Sequence, residues 1–473
     1  MNDLSAVADG AQEVELAPAA RARMERARAI VEESLNSEDL VYGLTTGLAE
    51  RKRSRIASSD RRAFNRLVVR SHRVAQGPAA APRLVRATMT CLVNSFAKGI
   101  AGVRPALADM VLGALNDGFV PVVRSLGSIG AADLGPMADL AEGLLSSRGF
   151  SLEENEGLAL INSNAFGTAS SALSCLEAGQ LLDSADIAAA LDLEAFGANF
   201  DALHEVVGES RPYPGVKKTL ANLRRALAGS SLWQPGAGRN LQDPLTFRCV
   251  PQIHGASRDA LEYLSRTIGT ELNSAQGNPA VVGPERRIIS VGNFEVLPVA
   301  AALDFMRIAL APVLTSATER TIKLLQSPVS GLPAGLAAER GSVEDTLAEF
   351  AVASQAIVME ARALAGPVSY ELASTSKAEG IEDRATMAPF SARRLAEMVD
   401  LGCRVIAIEL LVAAQALDLR PIERPGRGTR DAHQRVRHKI AFTGPGQAPP
   451  DDLGPLVESV RRGEFTGAMS EAT

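Results

Sequence analysis

Residues 127–141 read GSIGAADLGPMADLA, a glycine-punctuated turn that runs into an apolar helix flecked with acid. At its centre stand Ala131, Ala132 and Asp133, a triplet without a hydroxyl in a turn placed where chemistry would want one. The helix that follows begins at the turn, so its N-terminus could face an anion.

Outward from this turn the pattern is helical. Apolar residues recur at helical spacing over 299–325, 344–366 and 392–419, with Ala and Met on the remaining faces. Such helices are expected to be buried nearly all round, at the centre of a bundle. The middle one opens with a capping box, Gly341 then Ser342 and, three residues on, Asp345. Strand alternation is scarce and aromatic residues make up only 4%, so the expected class is all-α with a long central helical bundle. At 473 residues the chain exceeds what one small core needs. Three regions are expected: 1–200 with the turn, a central bundle over 201–420, and a peripheral, partly flexible segment over 421–473.

Composition excludes several functions. Hydrophobic residues at 46% and charged residues at 22% fit a soluble globular chain. A net charge of −6 argues against a nucleic-acid surface. Cys91, Cys175, Cys249 and Cys403 lie far apart with no metal spacing, as free thiols of a reducing compartment do. No signal peptide is visible, and the most apolar stretch, 296–314, carries Asp304 and Arg307, so it reads as a core helix. The expected location is cytoplasmic, with no membrane partner. His72, His204, His254, His433 and His438 form no paired ligand motif, so no metal site is expected. No lysine sits in a setting that suggests pyridoxal chemistry.

The information concentrates in the loops. VYGLTTGLAE (41–50), VVRSHRVAQG (68–77), AKGIAGVRP (97–105), EGLALINSNA (156–165), QDPLTFRCVPQIHGA (242–256), SVGNFEVLP (290–298) and GIEDRATM (380–387) follow one another along the chain. In order and spacing they resemble the loops of the histidine and phenylalanine ammonia-lyase and aminomutase family. Each match alone is weak; seven in line are specific for the fold, although fold alone does not give function.

In that family the turn contains Ala-Ser-Gly, which cyclises to an electrophilic methylidene-imidazolone. The glycine nitrogen attacks the alanine carbonyl, and the serine hydroxyl leaves. Here one residue is missing and Ala131-Ala132 runs directly into Asp133. The middle residue has no leaving group, and the attacking nitrogen would belong to a bulkier residue than glycine. Ser128 is no substitute, because Ile129 follows it. No prosthetic ring and no other cofactor are expected. Further departures are Thr45, Leu245, Glu295, Ile381 and Arg384, where the family carries asparagine, tyrosine, histidine, glutamine and histidine.

What the resemblance retains is a pocket. Tyr42 matches the loop tyrosine that acts as base, and Arg248 the arginine that clamps the substrate carboxylate. His72, Asn162, Gln242, Asn293, Phe294 and Glu382 match pocket positions, as does Leu245 in altered form. Each has a plainer reading. Tyr42 is either the base or a tyrosine packed at a turn. Arg248 either binds an anion or pairs with Asp243 or another subunit's carboxylate. His72 is either a pocket group or a core histidine, and Glu382 either acts or belongs to a salt-bridge network with Asp383 and Arg384. Glu295 is either a recruited acid or base or a solvated replacement. The resemblance also implies a homotetramer with shared sites, in which the Gln242–Arg248 stretch comes from a neighbour of the chain that supplies Tyr42.

The expected activity is acid–base chemistry without the prosthetic ring: elimination of a better leaving group, isomerisation or cyclisation. The substrate would be a small carboxylate or an amino-acid-derived metabolite. The alternatives are a non-catalytic ligand-binding or regulatory relative, and an ammonia lyase that acts by some other route.

Overall fold

The computed structural model of the protein describes residues 1–37, 39–339, 345–370, 380–420 and 422–465. It is helical, with two short antiparallel ladders: Gln76–Ala79 against Arg124–Leu126, and Ala280–Val282 against Arg287–Ile289. The chain forms two compact units. The first comprises 1–174, 264–303 and 367–393; the second comprises 175–263, 304–366 and 394–473. Four long helices, Ala165–Phe196, Val250–Leu272, Leu297–Leu325 and Ala388–Leu419, contribute a stretch to each.

In the first unit, short elements are stitched by their loops. The helix Arg61–Ser71 buries Asn65, Val68 and Val69. The Asn65 amide oxygen accepts from the Gly157 N–H at 2.9 Å. A Cβ at Gly157 would lie 2.2 Å from the Asn65 carbonyl oxygen, so only glycine permits this approach. The helix Leu134–Arg148 buries Met137, Ala138, Leu140, Ala141, Leu144 and Leu145 and stops at Gly149, a left-handed C-terminal residue. The ladder strand Arg124–Leu126 and this helix bracket the turn that opened the sequence reading.

The second unit packs the remaining stretches of the long helices. Residues 175–196 bury Leu181, Leu182, Ala185, Ala188, Ala189 and Leu193 on every face, as a central helix requires. Gly402 is a point of close approach, since a Cβ there would lie 2.6 Å from the Leu181 side chain and 3.2 Å from Leu314. Asp304 and Arg307, the charges inside the most apolar stretch, pair with each other at 2.6 Å. The helix Leu297–Leu325 is long and apolar enough to cross a membrane by composition, but 56% of its most apolar window is buried within the protein.

One expectation changes. The helix anticipated at 344–366 spans Glu349–Ala363 and is not buried all round. Only Ser354, Val358 and Ala361 are buried, while Val352 and Met359 are exposed, because the helix gives its unit one narrow stripe. Its Ser342 cap lies outside the described residues. Beyond Arg420, the anticipated peripheral segment contains two helices, Arg427–Lys439 and Gly454–Arg461. They bury Ala432, Val436, Leu456, Val457 and Val460, apolar positions hidden in a Pro- and charge-rich sequence.

Candidate functional site

The loops of the first unit surround a cavity of about 560 Å³. One wall is the hairpin-like loop 41–56. Its base is closed by Gly47 N–H donating to the Ser54 carbonyl and Ile56 N–H to the Thr45 carbonyl, both at 3.0 Å. Thr45 is buried and its hydroxyl accepts from the Val41 N–H at 2.8 Å, so it braces the loop. Tyr42 is half-buried on the cavity, and its phenolic oxygen accepts from the Ala49 N–H at 3.1 Å. Ala49 holds a left-handed φ of 51°, a conformation that costs a residue with a Cβ and that collects at functional loops.

The floor is the turn at 127–134. Ser128 organises it, accepting from the Gly130 N–H at 3.1 Å and donating to an Asp133 carboxylate oxygen at 2.7 Å. The other Asp133 oxygen accepts from the Gly167 N–H at 2.7 Å. Asp133 is fully buried; burial pushes its carboxyl up to about 6, against the pull of the Gly167 and Ser128 donors. Ala132 is buried with φ 58°, and Ala131 forms an antiparallel bridge with Glu295. The Asp133 N–H donates to the Ser163 carbonyl at 2.8 Å.

The third wall is tied to the same turn. Met387 N–H donates to the Ile129 carbonyl and the Thr386 hydroxyl to the Gly130 carbonyl, each at 2.9 Å. A Cβ at Gly130 would lie 2.1 Å from that hydroxyl. This stitching brings Glu382, Asp383 and Arg384 to the cavity beside Glu295, whose carboxylate approaches Arg384 at 3.7 Å and accepts from the Leu297 N–H. Glu295 is therefore neither buried nor fully solvated; it faces the cavity with its charge partly matched.

His72 ends the helix Arg61–Ser71, half-buried, and lines the same space rather than the core. Its Nδ1 lies 2.8 Å from the Val68 carbonyl, which can only accept, so Nδ1 carries the proton. In the neutral ring Nε2 is then the free base. Phe294 and Asn162 also line the cavity, with the Asn162 amide donating to the Asn278 carbonyl at 2.8 Å. Asn293 is exposed and is not among the lining residues.

Gln242, Leu245 and Arg248 belong to the second unit, where Gln242 and Leu245 are exposed. Arg248 makes no ion pair with Asp243: its Nε donates to the Asp243 backbone carbonyl at 2.7 Å, while the Asp243 carboxylate caps the Asn199 N–H. Sequence reading missed Lys52. In the run Glu50–Arg55 it alone is not exposed, and it lines the cavity wall with Tyr42. Nothing in ERKRSR separates it from its neighbours; the loop's backbone bonds decide which side chain turns inward. No group of three or more His, Cys, Asp or Glu residues able to hold a metal occurs among the described residues.

The whole chain matches known proteins. Residues 1–151 and 145–438 match the aromatic amino acid lyase family. A histidine ammonia-lyase of Symbiobacterium thermophilum is 35% identical over 99% of this chain and 96% of its own length. The tyrosine aminomutase of Streptomyces globisporus superposes with a TM-score of 0.92 at 27% identity, covering 100% and 97% of the two chains. An ergothionase from Treponema denticola, described as an ergothioneine-degrading enzyme, superposes at 0.90 with 25% identity over 99% and 97%. The protein belongs to the aromatic amino acid lyase family and has its mostly helical ammonia-lyase fold.

Proposed function

We propose that the protein is a lyase of this family that works without the methylidene-imidazolone. The observation that carries this reading is the turn itself. Ala132 offers a methyl where ring closure needs a hydroxyl to expel, and the Asp133 nitrogen that would have to attack donates to Ser163 instead. The residues present do not fit the ring, so no step is routed through it.

An amine leaves poorly without an electrophile. The reaction most compatible with this site is therefore elimination of a leaving group that departs without an electrophilic ring, from a small carboxylate or amino-acid-derived metabolite. Isomerisation or cyclisation would share its first step. Tyr42 would take the proton, with His72 Nε2 as a further base. Glu382 or Glu295 would return a proton to the leaving group. Phe294 and Asn162 would bound the substrate, and Arg248 would clamp its carboxylate from another copy, with Gln242 and Leu245 beside it. The ergothionase likeness supports the reading, since the fold also serves a protein described as degrading ergothioneine.

A homotetramer with shared sites accords with Phe305, Ile308, Val352 and Met359, apolar residues left exposed on helices of the second unit. Free and buried Cys91, Cys175 and Cys403 accord with a reducing, cytoplasmic setting.

Intact mass tests the central claim, because ring formation would remove two waters from the chain. The expected mass is that of the unmodified sequence, with no added ultraviolet absorbance. Loss of two waters would restore a conventional ammonia lyase. For the mechanism, Tyr42→Phe is expected to cut turnover of an identified substrate by about 10²- to 10⁴-fold while the fold is kept. Full turnover in that variant would remove Tyr42 from the chemistry.

A further inference from the structure

Away from the cavity, the first unit carries a groove of about 410 Å³ that shares no lining residue with it. Arg23, Arg26, Ala27 and Ile30 line the groove from one face of the helix Pro18–Leu35, at helical spacing. Lys98 enters from the turn after the helix Pro82–Phe96, and Arg286 from the hairpin that joins Ala280–Val282 to Arg287–Ile289. Gly99 permits the approach: it holds φ 74°, and a Cβ on it would lie 2.9 Å from both the Arg23 Cβ and the Arg23 carbonyl oxygen. Four cations thus share a floor of buried Ala27, Ile30 and Val281, and no carboxylate is among the lining residues. Other arginines of the unit are neutralised. Arg66 and Arg70 stand on Glu142 at 2.8 and 3.6 Å, Arg104 stands on Glu156 at 2.6 Å, and Arg286 itself pairs with Glu33. Arg23 spends its Nε on the Ala97 carbonyl at 3.1 Å, and among the described residues none of Arg23, Arg26 and Lys98 has a carboxylate partner. In a chain of net charge −6, unmatched cations around one concave floor attract an anion.

We propose that this groove binds a small phosphate monoester, with its phosphate on Arg23, Arg26 and Lys98 and its organic part laid on Ala27, Ile30 and Val281. A phosphate monoester near neutral pH carries close to two negative charges and several strong acceptor oxygens, so it answers more than one cation at once. The guanidinium forks of Arg23 and Arg26 suit paired oxygens, and the Lys98 ammonium adds a compact point charge. This site is separate from the cavity read as a substrate site, and neither reading stands on the other.

The test is equilibrium binding of phenyl phosphate and of inorganic phosphate to the full-length protein in its native assembly, at about pH 8, where both are dianions, and at fixed ionic strength. Phenyl phosphate is expected to bind about tenfold more tightly, through its ring on the apolar floor. Arg26→Gln combined with Lys98→Gln should weaken phenyl phosphate by about tenfold or more, whereas Arg26→Lys combined with Lys98→Arg should stay within about threefold of wild type. His72→Ala, which alters the cavity and not the groove, should bind it as wild type does. Thermal melting checks that each variant folds. The assignment is overturned if wild type shows no saturable binding at millimolar concentrations, or if phenyl phosphate binds no more tightly than inorganic phosphate. It is equally overturned if the two glutamines leave the affinity unchanged or if His72→Ala abolishes it. None of these readouts depends on turnover, so the chemistry of the cavity and the prosthetic-group question are decided separately by mass and by Tyr42→Phe.

Discussion

In the second unit, Arg320 lies fully buried between two carboxylates, with Nε 2.9 Å from Asp192 and Nη2 2.6 Å from Glu409. In the first, Glu295, Glu382, Asp383, Arg384, Lys52 and His72 face a cavity from loops, and none of them is buried. Both are clusters of titratable groups, yet they do opposite work. Burial with the neighbouring Glu409 charge pushes Asp192 well above the usual carboxylate range, and the group is fully buried. Nearby, burial opposes ionisation of Asp186, but Arg258 and His254 hold it below the usual range. Burial keeps His254 neutral against that same carboxylate, and its Nδ1 donates to Asp186 at 2.8 Å. Such groups orient helices. The cavity groups stand in reach of a substrate.

That contrast predicts where substitutions hurt. The largest effect is expected in the buried cluster: Arg320→Ala leaves two carboxylates without a cation and should cost about 3–5 kcal/mol of stability in denaturant unfolding. A loss below about 1 kcal/mol would mean that water or relaxation replaces the guanidinium and that the contrast is false.

An intermediate effect belongs to Asp133, which sits at the cavity floor but is buried like the second cluster. Its carboxyl is raised from 3.8 to about 6 in the fold, so the folded chain holds the proton more tightly than the unfolded one. Its contribution to stability is full below pH 3.8 and is lost as pH rises through about 6. The stability gap between Asp133→Asn and wild type should therefore move toward the variant by about 2 kcal/mol between pH 4 and pH 7.5. A gap that does not move with pH would give Asp133 an ordinary acidity.

The smallest effect is reserved for Glu295→Gln. The pair with Arg384 is half-exposed and loose at 3.7 Å, so the stability change should stay under about 1 kcal/mol. Turnover of an identified substrate, in contrast, should fall. Equal loss of both would move Glu295 into the structural class.

Much of the fold was legible in the residues. The helices at Leu297–Leu325 and Ala388–Leu419 follow from apolar periodicity, and the loops announce themselves by glycine, asparagine and proline. Glu349–Ala363 was misjudged because Ala and Met look apolar on every face whether or not anything covers them. At the site, Tyr42, His72, Phe294, Asn162, Glu295 and Glu382 were identified from loop matches, and they do line one cavity. Asn293 was not separable from Phe294 by sequence, because neighbouring residues in an irregular loop share no fixed direction. Lys52 was invisible for the same reason.

Sequence alone determined which atoms are available: a methyl at Ala132, no hydroxyl on that residue, and Asp133 following directly. Covalent structure settles that before any folding occurs. Tertiary structure decided which way those atoms face. The Ser128 and Gly167 donors hold the Asp133 carboxylate, the Val68 carbonyl selects the His72 tautomer, and the bonded 41–56 loop places Lys52 on the cavity. Each of these depends on a hydrogen bond made when the loops close, and no run of residue types encodes its direction.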